Sequence, residues 1–383
     1  MTARTVGVEE ELMLVDPETG RLTAVAQRAL RAHNEAEERV DLEGKFEGSG
    51  VEAELFLQQI ETTTPPCGSM DELDREVRKA RRTSGQLALG AGAAVVAVPT
   101  PVLVDADASV TPQPRYQRIR EEFGELAKTS LACAMHVHVG LEDGEDGAPL
   151  LGEIGPWLSV LLAISANSPY WRGHDTGYAS WRTQIWTRWP SNGTGEPFGS
   201  GREYDAVARR LVDWGVALDE AMVYFDARLS RTFPTVEIRV ADVCTDPEDA
   251  ILFAALARAL VTTAAEPGSQ LRAPEWRSDL IRAASWRASR YGLASRLVDP
   301  ATLELAPARA VVESLVRRVR EALDATDDLG LVVDLLERLL SRGGGATRQR
   351  RTFETAGTLE AVVEDLRTRT EESWSGYATW VGD

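Results

Sequence analysis
The sequence predicts an α+β fold, with a mostly antiparallel sheet whose concave face holds the chemistry and a helical C-terminal part. Three observations carry this. Short runs that alternate apolar and charged residues, at the period of a strand, fall before about residue 245. Helical stretches are mixed with the strands in this first part. From about Glu275 onward every segment reads as helix.

The first strand runs from Val6 to Val15 and contains Glu9-Glu10-Glu11. Strand side chains alternate faces, so Glu9 and Glu11 point one way and Glu10 the other, where it reads as structural. Two carboxylates on one face repel each other and cost desolvation energy. The segment is therefore either a solvated edge with surplus charge or a surface that a cation neutralises. Asp16-Pro17-Glu18-Thr19-Gly20 closes the strand with turn chemistry. Val51 to Thr62 reads as one further strand carrying Glu52, Glu54 and Glu61. Ser69 with Glu72 forms a capping box that opens a helix towards Leu89. Ala93 to Val98 is a strand stopped by Pro99, Tyr116 to Lys128 a helix, and Leu131 to Leu141 a strand. Leu150 to Ala166 is an apolar buried helix, and Arg202 to Val216 another helix. Thr235 to Ala241 is a strand, and Pro247 to Ala265 a helix capped by Asp246.

Four more stretches carry candidate chemistry. His136 and His138 share a strand face, either as metal ligands or as hydrogen-bonded core histidines. Glu237 and Arg239 share another, as an ion pair or as groups dividing a nucleotide's phosphates. Tyr170 to Trp189 is dense in aromatics and arginines, which suits a binding wall or a loop pinned by its tryptophans. Arg342 to Arg351 reads as a flexible basic loop closing on phosphate, or as a helix terminator with exposed arginines. A carboxylate-rich site with some imidazole favours hard cations such as Mg²⁺ or Mn²⁺. The chain has no GxxxxGK[ST] loop and no convincing GxGxxG after a strand, so a bound nucleotide would rely on metals and arginines.

Composition sets limits on partners. The 383 residues suffice for one elaborate domain, or two intimate ones. We read them as a single catalytic domain, with residues 1–245 as sheet-bearing core and 246–383 mainly helical. A net charge of -18 argues against nucleic acid and anionic membrane as partners. No apolar run approaches membrane-spanning length, and no secretory leader precedes the first strand. Three scattered cysteines, Cys67, Cys133 and Cys244, fit reduced thiols in a cytoplasm. The Leu329 to Leu340 helix suits either core or an interface between copies.

The segments Gly7 to Asp16, His136 to Gly140, Trp171 to Arg182, Glu237 to Arg239 and Gly345 to Arg350 together, in this order, resemble the carboxylate–amine ligases of the glutamate–cysteine ligase type 2 family. The resemblance covers nearly the whole chain. It implies a fold related to glutamine synthetase, a curved antiparallel sheet forming a funnel, with ATP and Mg²⁺ on its inner face. It implies a reaction in which glutamate attacks the γ-phosphate of ATP and the acyl phosphate is captured by an amine, cysteine or a relative of it. By position, it implies Glu9, Glu11, Glu54, Glu61, His136 and Glu237 as metal ligands, with His136 also at the nucleotide. His138 becomes an inner-face catalytic partner. Arg239 falls on the ATP phosphates, with Arg348 on phosphate or a closing loop, and Arg172, Arg182 and Tyr178 on substrate. Two other readings remain open from the residues: a metal-dependent amidohydrolase, and a non-catalytic ATP or amino-acid sensor.

Overall fold
The structure, a computed structural model, describes residues 3–31, 50–104, 107–269, 271 and 276–375. Its centre is a seven-stranded antiparallel sheet. Along the sheet the strands run β2 (Val51–Ala53), β3 (Gln59–Thr63), β1 (Val6–Val15), β5 (Ala134–Gly140), β9 (Thr235–Asp242) and β8 (Ala227–Leu229), and β4 (Ala94–Val96) pairs with the end of β1. A two-residue hairpin, β6 (Tyr170–Trp171) with β7 (His174–Asp175), stands apart.

Register places the charged residues. Glu9 lies opposite Thr63 on one side and His136 on the other. Glu11 lies opposite Glu61, and His138 opposite Glu237. Directly opposed residues share a face, so the acids and imidazoles of four strands gather on one side of the sheet. The β5–β9 pairing shifts register between Met135 and Val137, beside Arg239. A bulge of this kind re-aims the side chains next to it.

The other face is apolar. Val6, Val8, Met135, Val137, Val236 and Ile238 are buried there, in one cluster that continues into the C-terminal helices through Leu252, Leu256 and Leu336. The helices Met70–Gly90 and Pro247–Ala265 cover this face and pack on each other. Ser69 caps the first by accepting from the Glu72 backbone N–H, as the capping box requires. Ala148–Ser165 is apolar enough to pass for a membrane span by composition, but it is mostly buried inside the fold.

Four expectations need correcting. The strand expected over 51–62 is broken. β2 ends at Ala53 and β3 begins at Gln59, and the intervening turn lets the Leu55 N–H bond the Glu54 side chain at 2.7 Å. The helix expected over 150–166 is divided by Pro156 into Ala148–Ile154, a 3₁₀ turn and Leu158–Ser165. The C-terminal part is not wholly helical, because Arg296–Val298 and Leu305–Pro307 form a short hairpin. Residues 342–351 are no flexible loop. Gly345–Ala356 is a helix, and its first residue lies so close to Asn167 that a Cβ there would come within 2.1 Å of Oδ1.

Candidate active site
Three overlapping groups of ligand atoms lie on the polar face, the atoms of each group within 4.8 Å of one another: Glu9, His138 and Glu237; Glu9, Glu61 and His136; and Glu11, Glu54 and Glu61. They come from β1, β3, β5, β9 and the turn after β2, so only the folded sheet assembles them. Glu9 links the first two groups and Glu61 the last two, which makes one continuous line.

The electrostatics of this line are unbalanced. Burial and the neighbouring Glu54 charge push Glu11 up to about 7. Burial raises Glu54 as well. Glu61 is held well above the usual carboxylate range by burial and by the charges of Glu54, Glu9 and Glu11. At the other end cations prevail. Burial works to raise Glu237, but Arg239 and then Arg228 hold it down at about 2. Burial also works to raise Glu9, yet His136 and His138 hold it far below its ordinary value. Burial, then the Arg239 charge, lowers His136 to about 4, which leaves a neutral imidazole suited to ligation.

Local bonds fix several of these groups. His136 Nδ1 lies 3.1 Å from Glu9 Oε2. His138 Nδ1 meets Thr235 Oγ1 at 2.9 Å, while its buried Nε2 lies 3.1 Å from Glu9 Oε1 without making a hydrogen bond. Glu11 accepts the Ala134 N–H at 2.7 Å. Glu237 takes a two-point bond from Arg228, at 2.6 and 3.0 Å, and an ion pair from Arg239. An oxygen-rich set with an unbonded imidazole nitrogen aimed at a carboxylate, and with raised acids crowding one end, fits a hard divalent cation.

Next to Arg239 opens a cavity of about 940 Å³, walled by Trp186, Trp189, Tyr224 and Trp286. Arg182 and Asp226 also line it. A smaller recess of about 130 Å³ opens at Glu9, His138 and Glu237 under residues 230–233.

The structure thus brings together Glu9, Glu11, Glu54, Glu61, His136, His138, Glu237 and Arg239, with Arg182 alongside. Arg172, Arg348 and Tyr178 lie elsewhere. Arg172 pairs with exposed Asp107 at 2.8 Å and lines a separate small recess with Trp171 and Lys128. Arg348 joins Arg342 and Arg369 on Asp246, at the start of the Pro247–Ala265 helix. Tyr178 packs on Trp181, and its hydroxyl accepts from Trp286 Nε1 at 3.3 Å. The dense aromatics around it pin their own loop, and of the tryptophans in residues 170–189 Trp186 and Trp189 wall the large cavity.

The sequence reading missed Arg228, Asp226 and Asp242. Arg228 and Asp226 precede the Glu237 strand on β8 and its approach, too short a strand to show a period. Buried Asp242 accepts from the Asn167 N–H and from the Ser168 and Ser180 hydroxyls, and so ties the Ser168–Arg182 connection to β9.

Residues 5–365 match the family described as glutamate-cysteine ligase family 2. A Nocardioides sp. relative named "Putative glutamate--cysteine ligase 2-1" is 46% identical, over 99% of both chains. Among solved structures, the chain is similar to a glutamate–cysteine ligase of Francisella tularensis in complex with AMP. That match has a TM-score of 0.68 and 12% identity, over 99% of this chain and 94% of the other. A bifunctional glutathione synthetase of Pasteurella multocida matches at TM-score 0.65 and 14% identity, over 98% of this chain and 53% of the other. The expected glutamine-synthetase-like α+β architecture therefore holds.

Proposed function
This chain belongs to glutamate-cysteine ligase family 2, and from that premise we propose an ATP-dependent carboxylate–amine ligase that works through an acyl phosphate. The acid is glutamate and the amine is cysteine or a related one. The observation that carries this reading is the line of Glu9, Glu11, Glu54, Glu61, Glu237 and two histidines, ending beside Arg239 and a large cavity.

Glu9, Glu11, Glu54, Glu61, His136 and Glu237 would hold Mg²⁺, or Mn²⁺, which would neutralise the phosphate oxygens that a carboxylate must approach. Arg239, half-buried and fixed by Glu237, meets the transferring phosphoryl group. The acid's carboxylate attacks the γ-phosphorus and ADP leaves. The amine then attacks the acyl carbon and phosphate leaves. His138, anchored by Thr235, is placed to take the proton that the amine sheds. The aromatic walls exclude water, which would otherwise hydrolyse the acyl phosphate. Two histidines among five carboxylates do not form the imidazole-rich set of a zinc amidohydrolase, so the ligase reading is preferred. Small-molecule substrates and a cytoplasmic setting accord with it.

A phosphate-release assay over pairs of acids and amines tests this. Release should require ATP, Mg²⁺, an acid and an amine together, and mass spectrometry should find the amide product. Phosphate release with no amide from any pair would refute the reading.

A further inference from the structure
The Gly345 to Arg350 motif lies outside the line of acids, yet its helix is bonded to the connection that supplies the cavity's aromatic wall. The Ala346 N–H donates to Ala166 O at 3.2 Å. Gln349, 1% exposed, donates through Nε2 to Asn167 O at 2.6 Å and to Asn167 Oδ1 at 2.9 Å. Arg350 grips both oxygens of Asp175, at 2.7 and 2.8 Å, and the Tyr178 carbonyl at 2.8 Å.

The same turn is held from the sheet side. Fully buried Asp242 accepts from the Asn167 N–H at 2.8 Å and from Ser168 Oγ and Ser180 Oγ at 2.7 Å each. Burial raises this carboxyl, and the Arg182 charge and these bonds offset part of the rise. Among the described residues no cation forms a salt bridge with it. A carboxylate only accepts, so three converging donors leave it one orientation. Ser168 Oγ in turn accepts the Arg182 N–H at 3.0 Å, and Ser180 caps the Trp181–Trp186 helix by accepting from the Thr183 N–H. That helix carries Arg182 and Trp186 to the large cavity. Asp242 and Arg239 lie on one strand, so these bonds set the helix against the arginine assigned above to the phosphoryl group. Apolar contacts would anchor a loop at less cost than a buried carboxylate without a cation. Directional bonds from both sides add fixed orientation, which catalytic geometry needs.

We propose that Gln349 and Asp242 are positioning residues, which clamp the Asn167–Ser168 turn from opposite sides and so hold the helix bearing Arg182 and Trp186 in register with Arg239. Their effect on rate rests on the ligase reading, and their effect on the helix does not.

The test uses the full chain. Gln349→Met removes both donated bonds at similar volume, and Asp242→Asn removes the charge and one acceptor. Each should lower kcat about 10²-fold, as a small misplacement at a distance does, with Mn²⁺ binding to the acidic line unchanged. The double variant should lose no more than the worse single one, because both act on one turn, whereas independent effects would multiply to about 10⁴-fold and overturn the shared clamp. Fluorine NMR of the chain labelled with 5-fluorotryptophan reads the helix directly. The Trp186 resonance, assigned by its loss in Trp186→Phe, should move in both variants and stay in place in Arg309→Gln, which breaks an exposed ion pair with Glu337. An unmoved Trp186 resonance in Gln349→Met would overturn the proposal, as would rates that fall only in step with Mn²⁺ binding. Should Asp242→Asn not accumulate, Gln349→Met decides alone. If wild type forms no amide, the ligase reading falls, and the Trp186 resonance by itself upholds or overturns the clamp.

Discussion
Adjacent residues of β1 show two ways of burying a carboxylate. Glu10 faces the helices. Arg81, fully buried, grips both its oxygens at 2.6 and 2.8 Å and spends its remaining N–H groups on the carbonyls of Cys244 and Thr245. Glu9 and Glu11 face the other way, into a line of acids that has too few cations at the end holding Glu11 and Glu61. The first arrangement is complete as it stands and holds the sheet to the Met70–Gly90 helix. The second is complete only with added positive charge. Matched charge marks architecture and unmatched charge marks the site, although the residues are neighbours in sequence.

The sharpest way to break this comparison is to substitute both sides. Glu10→Gln strands a buried guanidinium and should cost about 3–5 kcal/mol of stability, read as a lowered denaturant midpoint. Glu11→Gln should leave the midpoint of the metal-free protein unchanged or higher, because it removes a buried acid that its neighbours repel. Its ligase rate should fall roughly 10²–10³-fold, as when one preorganised electrostatic group is lost. Equal destabilisation by the two substitutions would erase the distinction.

The pH dependence of stability sharpens it. Folding raises Glu11 from 4.5 to about 7. The folded state therefore holds a proton that the unfolded chain releases. The stability this contributes is fully present below pH 4.5 and is lost as pH rises through 7. The metal-free protein should melt at a lower temperature at pH 8 than at pH 5.5, and saturating Mg²⁺ should close that gap. A melting temperature that climbs across this range without metal would contradict the unbalanced cluster.

Smaller effects follow outside the line of acids. Arg228→Met leaves Glu237 with Arg239 alone and should lower the rate by about 10–100-fold, the usual loss when a residue orienting a ligand is removed. Arg172→Gln removes an exposed pair with Asp107 and should change stability by about 0–1 kcal/mol, with the rate nearly unchanged. A large loss of rate in Arg172→Gln would return that residue to the substrate site.

The strand period in β1 foretold both faces, so the opposed orientations of Glu10 and of Glu9 with Glu11 were legible from spacing. The alternation around His136 and Glu237 was equally plain. Arg81 was not, because one arginine in an amphipathic helix looks like any other until the helix docks. Glu54 reaches the site from a turn that breaks the expected strand, and no local pattern announced that break. Arg348 and Arg172 misled for the opposite reason. Their motifs are real, but Gly345 and Gln349 dock a helix on Asn167, and Arg172 adopts a positive φ of 49° ahead of Gly173 to turn a hairpin.

The central claim, that the acidic line is a shared divalent-cation site, is tested most directly by titrating the purified chain with Mn²⁺ and following bound ion by electron paramagnetic resonance. Wild type should bind more than one ion per chain when a non-hydrolysable ATP analogue is present, and Glu61→Gln, which touches two of the three ligand groups, should bind fewer. Binding no tighter than to a surface of scattered acids, and unaltered by Glu61→Gln, would contradict the account.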